Sequence, residues 1–224
     1  IFAWTTPSHP TYSPKLRSTL PDAVSCRTDK VRGSVLAAAG TLADDDDVLA
    51  EARRRWDDPA VDNDPAVAAA VVSIVASHGD TATRAECRRR AETATTAQDE
   101  QRHLRALALF PGRTEIDALL KEVHDGTIRT QDAPFLLRSA MTHPTYRDVV
   151  WRSVTDRWDD LTGRLPSNGI ARMLDGIRAL VGDMDPDVDA YLDTHPVPQG
   201  ALMVAQHRER RVVNQRLRKR LLAS

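Results

Sequence analysis

The chain has 224 residues, of which 41% are hydrophobic, so it is long enough to bury the core of one large domain or two small ones. Its formal net charge of −1 at pH 7 gives no overall field that would draw it to nucleic acid or to an anionic membrane. The sequence has no run of about 18 apolar residues, which argues against a membrane-spanning helix.

The N-terminal 28 residues carry no helical pattern and include four prolines within the first 21 positions. Proline lacks a backbone N–H and cannot continue a helix, so this segment is predicted to be irregular. The chain also begins at Ile1 rather than at a methionine, which is typical of a piece of a longer protein. We therefore expect residues 1–28 to be the tail of a preceding domain.

From residue 29 onward, apolar residues recur at helical spacing, most clearly at Ile116, Leu119, Leu120 and Val123. The predicted helices alternate between two series separated by short polar turns. The first series begins near Asp29, Pro65, Gln98 and Gln131, and the second near Asp45, Thr81 and Thr114. Each series repeats about every 34 residues, which indicates a repeated helix–turn–helix unit. One such hairpin cannot bury its apolar face alone, so neighbouring units must stack.

The period fades after residue 144. Later helices are predicted over residues 145–162, over 168–181, within "DMDPDVDAYLDTHPVP", and over 198–221. Trp56, Trp151 and Trp158 fall on helical stripes and are predicted to be core residues. No stretch alternates apolar and polar residues as a strand would. The predicted fold class is therefore all-α, a superhelical array of HEAT/armadillo-like helix pairs (an α-solenoid), with residues 29–224 forming one domain.

The densest polar cluster is "GTIRTQDAPF", residues 126–135. Its polar members are Gly126, Arg129, Gln131 and Asp132. Gly126 suits a left-handed turn at a helix C-terminus. Thr130, Gln131 or Asp132 is expected to cap the next helix by accepting a free backbone N–H. The cluster is thus interpreted as a structural joint between helices, and the alternative is that Arg129 or Arg138 lines a binding surface.

Two other polar segments have a structural and a functional interpretation. The "DDDD" run at 44–47 suits a helix start, where carboxylates satisfy free N–H groups, and the alternative is a metal site. Thr96 and Asp99 form a start of capping-box type. The segments "ECRRRAE" and "RERRVVNQRLRKR" fit solvated helix faces, and the alternative is binding of phosphate groups.

Sequence motifs for catalysis are missing from the chain. There is no HExxH zinc helix, GxGxxG turn, P-loop or GxSxG elbow, so we expect no catalytic residue and no metal ligand here. Cys26 and Cys87 lie far apart and no CxxC pair occurs. We therefore expect no disulfide framework and a cytoplasmic location.

Three stretches, read in order, resemble one known domain. They are "DKVRGSVLAAAGTLADDDDVLAEARRRWDD", the "HGD…AQDEQRHLRALALF" region, and "GTIRTQDAPFLLRSAMTHPTYRDVVWRSVTDRWDDLTGRLP". The domain is the C-terminal helical domain of the zinc aminopeptidases of the aminopeptidase N, puromycin-sensitive and endoplasmic-reticulum aminopeptidase group. The resemblance covers about residues 29–220.

The resemblance implies a supporting role and no chemistry. In that family a separate upstream catalytic domain carries the zinc helix, so zinc is expected there and no cofactor in this chain. The C-terminal domain roofs the active-site chamber and limits or contacts the peptides whose N-terminal residues are removed. The expected partners are therefore the chain's own catalytic domain and peptides, with no nucleic acid and no membrane.

Two arginine clusters are the candidate peptide contacts that follow from this role. They are Arg53, Arg54 and Arg55 in one second-series helix, and Arg88, Arg89 and Arg90 in the next. A peptide held by its N-terminus at a zinc site presents a carboxylate at its far end, which arginine binds through paired hydrogen bonds. The alternative for both clusters is an ordinary solvated surface.

Two other functions stay open at this point. One is a free-standing α-solenoid scaffold for protein partners, and the other is a repeat protein that binds nucleic acid through its arginine-rich helices.

Overall fold

The computed structural model describes residues 29–58, 64–182 and 185–223. Within these ranges the chain forms twelve α-helices and two short 3-10 helices and has no strand, which confirms the all-helical prediction. The predicted irregular segment 1–28 lies outside the described residues. The α-helices are α1 (Asp29–Leu42), α2 (Asp46–Asp57), α3 (Pro65–Ser77), α4 (Thr81–Glu92), α5 (Ala97–Ala106), α6 (Arg113–His124), α7 (Ala133–Ala140), α8 (Arg147–Asp156), α9 (Trp158–Arg164), α10 (Ser167–Met173), α11 (Asp185–Thr194) and α12 (Ala201–Ala223).

The predicted helix starts agree with the structure to within about two residues because capping side chains fix them. The Asp45 carboxylate accepts hydrogen bonds from the backbone N–H groups of Asp47 and Val48, both at 3.1 Å. The Thr96 hydroxyl accepts one from the Asp99 N–H at 3.2 Å, as the capping-box pattern predicts. The "DDDD" run is therefore the start of α2.

The prediction of one continuous helix over 145–162 is wrong, because two helices form there. The helix breaks at Arg157, whose φ of −124° and ψ of 27° leave the helical region, so α8 and α9 are separate. At this break a side chain from elsewhere in the fold contacts the backbone. The Tyr191 hydroxyl donates a hydrogen bond to the Thr155 carbonyl at 3.1 Å, an acceptor that an uninterrupted helix uses for itself.

The predicted helix over 168–181 also differs, because only Ser167–Met173 is α-helical and Leu174–Ala179 is a 3-10 helix. Gly176 packs closely against the C-terminal end of α7. A Cβ atom there would lie 2.8 Å from the Arg138 carbonyl oxygen and from the Met141 Cβ. The final predicted helix likewise begins as a 3-10 turn at Pro198–Gly200 before α12.

The chain divides into two compact units, Ile1–Val75 and Ala76–Ser224. In the first unit α1 approaches α3 closely through glycines. A Cβ atom on Gly33 would lie 2.5 Å from the Ala66 carbonyl oxygen, and one on Gly40 would lie 2.7 Å from Ile74 Cγ1. Only glycine permits this spacing without a shift of backbone or side chains.

The second unit stacks its helices in two rows. Helices α5, α7 and α10 pack in one row, and α4, α6 and α8 pack in the other, with the hairpin contacts α4–α5, α6–α7 and α7–α8 joining the rows. This order is the helix-pair stacking that the 34-residue period predicts. The largest fully buried apolar side chains between the rows include Leu107, Phe110, Ile116, Leu119, Leu136, Leu137 and Met141. Trp56 in the first unit and Trp151 and Trp158 in the second are also buried, as predicted.

Candidate functional site

The joint at residues 126–135 begins with a left-handed residue. Gly126 has a φ of +83°, as its position after a helix C-terminus predicts. No atom lies within 4 Å of a Cβ built on it, so the requirement for glycine here is one of backbone conformation and not of space.

Asp132 does not cap α7, which corrects the expectation from the sequence. Its side chain makes no capping hydrogen bond, and its φ of −95° and ψ of −33° are helical, whereas a capping residue is usually extended. Pro134, at the second position of α7, has no N–H to donate to such a cap. The carboxylate is therefore available for other partners.

The Asp132 carboxylate instead connects the joint to α5. Its Oδ1 accepts a hydrogen bond from Gln101 Nε2 at 2.8 Å, and its Oδ2 accepts one from Arg129 Nε at 2.8 Å. Arg129 also forms an ion pair with Glu100 at 2.7 Å. Asp132 is buried, and we call its two hydrogen bonds with Gln101 and Arg129 the brace. Gln131, its neighbour in the sequence, is exposed.

The first arginine cluster lies on α2, in the first unit. Arg54 and Arg55 both bond to Glu51, at 2.8 and 2.7 Å, while Arg53 is exposed. Hydrogen bonds from Arg54 and Arg55 lower the pKa of the Glu51 carboxyl to about 2. A peptide carboxylate at this cluster would therefore compete with a resident glutamate.

The second cluster, on α4, repeats this arrangement within the second unit. Arg89 and Arg90 both bond to Glu86 at 2.7 Å, and their hydrogen bonds lower the pKa of that carboxyl to about 2. Arg88 pairs with Glu92 at 3.0 Å. The identical spacing explains why two arginines of each cluster share one glutamate on their own helix.

A groove of about 590 Å³ lies between α6 and α8. Both helices belong to the row formed by α4, α6 and α8, so the groove occupies the space between successive helix pairs. Residues of α6 and its C-terminus, with residues of α8 and its C-terminus, line it. They are Arg113, Asp117, Leu120, Lys121, His124, Asp125, Val149, Arg152, Ser153, Asp156 and Arg157.

A histidine–serine pair joins the two walls of this groove. His124 Nε2 lies 2.7 Å from Ser153 Oγ. Burial lowers the pKa of His124 below its usual value, and the nearby positive charges of Arg157 and Arg164 lower it further. The imidazole is therefore neutral at pH 7, and the pair holds α6 against α8 without adding charge.

The cations of α6 that line the groove are paired with nearby aspartates. Arg113 pairs with Asp117 at 2.9 Å, and Lys121 pairs with Asp125 at 2.8 Å. Among the described residues, no carboxylate forms an ion pair with Arg152 or Arg157. A polar groove lined by these two guanidinium groups and by Asp156 can hold an extended polar chain or bind a carboxylate through the arginines.

Sequence reasoning missed Arg152 and Arg157. Both fall inside the helix predicted over 145–162, where single arginines on a periodic segment look like ordinary surface residues. Arg157 lies at the break between α8 and α9, where Tyr191 bonds the Thr155 carbonyl, and no local sequence pattern marks that contact.

The described residues contain no group of three or more His, Cys, Asp or Glu side chains placed to hold a metal ion. Burial raises the pKa of the Cys87 thiol to about 12, so this cysteine is not a nucleophile at neutral pH. Across the part of the chain that the structure covers, no helix is both long and apolar enough to cross a membrane.

Comparison with known proteins adds a family-level finding. A family model described as "ERAP1-like C-terminal domain" matches residues 11–211, which is most of the chain. No curated protein sequence matches the chain.

Proposed function

Because this chain belongs to the family of ERAP1-like C-terminal domains of M1 aminopeptidases, we propose that it is the non-catalytic C-terminal domain of a zinc aminopeptidase that removes N-terminal residues from peptides. The family match over residues 11–211 carries this conclusion. The catalytic domains of the family bind zinc, and in the proposal an upstream catalytic domain supplies the ligands. This chain then contributes a surface and no reacting group.

In the proposal the helical array roofs the active-site chamber. The two-row stacking of the second unit supports this role, because stacked helix pairs present a long continuous surface made by one row. Such a wall admits extended peptides and excludes folded proteins by size.

The groove between α6 and α8 is the proposed contact for longer peptides. Arg152 and Arg157 line it and have no carboxylate partner among the described residues, so they can bond a peptide carboxylate or carbonyl groups. The clusters Arg53–Arg55 and Arg88–Arg90 are weaker candidates, because Glu51 and Glu86 each already accept hydrogen bonds from two of their arginines.

A peptide length series on the full-length protein tests the proposal. Arg152→Gln and Arg157→Gln, made singly, should raise KM several-fold for the longer peptides of the series, because each removes one charged hydrogen-bond donor. The kcat/KM for a single-residue aminoacyl reporter should stay unchanged, since the reporter does not extend to the groove.

The matched control is Arg105→Gln, which removes one exposed arginine from α5, in the other row. It should leave both substrates unaffected. If Arg152→Gln and Arg157→Gln change kcat/KM for long peptides and for the reporter by the same factor, the groove does not contact substrate. Neutralising Arg53–Arg55 or Arg88–Arg90 in the same assay tests the two clusters.

A further inference from the structure

Three arginines from three elements converge on one carboxylate in the second unit. Arg178 donates a hydrogen bond to Asp175 Oδ2 at 2.6 Å, and both residues lie in the 3-10 helix Leu174–Ala179. Arg210 of α12 lies 3.5 Å from Oδ1, and Arg138 of α7 lies 3.9 Å from Oδ2. Asp175 itself is buried. We name Arg138, Arg178 and Arg210 the arginine triad.

Charge at the triad is far from balanced. Asp175 is the single carboxylate that pairs with these guanidinium groups among the described residues, so three positive charges meet one negative charge. Repulsion between guanidinium groups opposes this gathering unless an anion or solvent compensates it. On α2 and α4, by contrast, Glu51 and Glu86 each pair with two arginines.

Most of the triad's donors are unused by the protein. Each guanidinium has five N–H groups, yet Arg178 and Arg210 each donate one side-chain hydrogen bond to Asp175, and that of Arg210 is long. Arg138 is too far from Asp175 for a hydrogen bond, and its guanidinium stands 6.0 Å from the centre of the Phe135 ring. The side chains are 44%, 44% and 61% exposed for Arg138, Arg178 and Arg210, so their free edges are open to a ligand.

The buried side chain of His207, next to Asp175, adds no negative charge to offset the triad. His207 of α12 is 5% exposed, and its Nδ1 lies 3.3 Å from Asp175 Oδ1. Burial lowers the pKa of His207 by more than the nearby Asp175 carboxylate raises it, so the ring is neutral at pH 7. Neither ring nitrogen has a hydrogen-bond partner of good geometry among the described residues. The neutral ring packs beneath Asp175 and leaves the excess of positive charge in place.

We propose that the arginine triad is an oxyanion-binding site, with Asp175 positioning three guanidinium groups around a carboxylate or a phosphate group. Planar guanidinium groups match both anions through paired hydrogen bonds, and three of them exceed what one internal carboxylate requires. The site stands on α7, the 3-10 helix and α12, apart from the groove between α6 and α8. It is independent of the proposed peptide contact, so either can fail alone.

The test is a titration of the full-length protein at constant ionic strength, with chloride as the replaced anion. Inorganic phosphate and acetate are the two probes, and binding is followed by calorimetry. We expect saturable one-site binding of at least one probe, and the stronger probe identifies the chemical source of the oxyanion. Arg138→Gln and Arg210→Gln, both at exposed side chains, should each weaken that binding about tenfold, the loss of one charged hydrogen-bonding partner.

Arg105→Gln is the control, since it removes the same charge from an exposed position that has no ion pair with Asp175. Its binding should equal that of the unaltered protein. Absence of saturable binding of both probes overturns the site, as does binding that the triad variants leave unchanged. An equal loss in Arg105→Gln also overturns it, because that result shows a response to net charge alone. Melting curves of each variant establish that it is folded before titration.

Discussion

Asp132→Ala tests the brace at the joint between α6 and α7. The carboxylate accepts from Gln101 and from Arg129, both at 2.8 Å, and its removal leaves these two donors without their acceptor. A hydrogen bond to a charged group contributes about 1.5–3 kcal/mol net. The Arg129 side chain is half exposed, so its pair is screened and contributes at most about 1 kcal/mol.

The expected loss is therefore about 3 kcal/mol in the free energy of unfolding. A helix cap alone would cost about 1 kcal/mol. Urea denaturation of the 224-residue chain, followed by circular dichroism at 222 nm, measures this difference, provided that the transition is a single step. Gln131→Ala is the matched control, because Gln131 is its exposed neighbour and should change stability by less than about 0.5 kcal/mol.

Asp132→Ser separates the two explanations. Serine caps helices as well as aspartate does, so a capping role predicts nearly full stability for this variant. The brace predicts a loss close to that of Asp132→Ala, because one short hydroxyl cannot accept from both Gln101 and Arg129. Full stability of Asp132→Ser, or no coupling between Gln101→Ala and Asp132→Ala in a double-mutant cycle, would refute the reasoning.

Two further predictions concern backbone and pH. Gly126→Ala should destabilise the chain by about 1 kcal/mol, because Gly126 has a φ of +83° and the space around it is open. Gly163, in α9, is equally open but has no positive φ, so Gly163→Ala should stabilise the chain by about 0.5 kcal/mol. Urea denaturation of both variants measures the two opposite changes in stability. His143 Nδ1 accepts from two backbone N–H groups, and burial lowers the pKa of this ring, so the unfolded chain binds the proton first and stability falls as the pH drops below about 6.5. His143→Gln should reduce that slope between pH 7 and pH 5, and an unchanged slope would contradict it.

Local signals allowed much of the fold to be predicted. Proline at position 65 and the capping side chains Asp45 and Thr96 act on their own helix, so the sequence around them suffices to place the helix starts. The stacking order follows from the period, because neighbouring pairs must cover each other's apolar faces.

The features that sequence reasoning missed depend on partners about thirty residues away. Tyr191 donates to the Thr155 carbonyl at the break between α8 and α9, and Gln101 donates to the Asp132 carboxylate. The arginine triad likewise exists only because three elements converge on Asp175. Such contacts have no local pattern, so only the assembled fold reveals them.

Turnover of an aminoacyl reporter by the purified chain, measured beside the full-length protein, tests the central claim most directly. The claim that this domain supplies a surface and no reacting group predicts turnover by the full-length protein and none by the chain alone, over the range pH 6 to 8 and with zinc added. Zinc-dependent hydrolysis by the chain alone, abolished by a chelator, would contradict it.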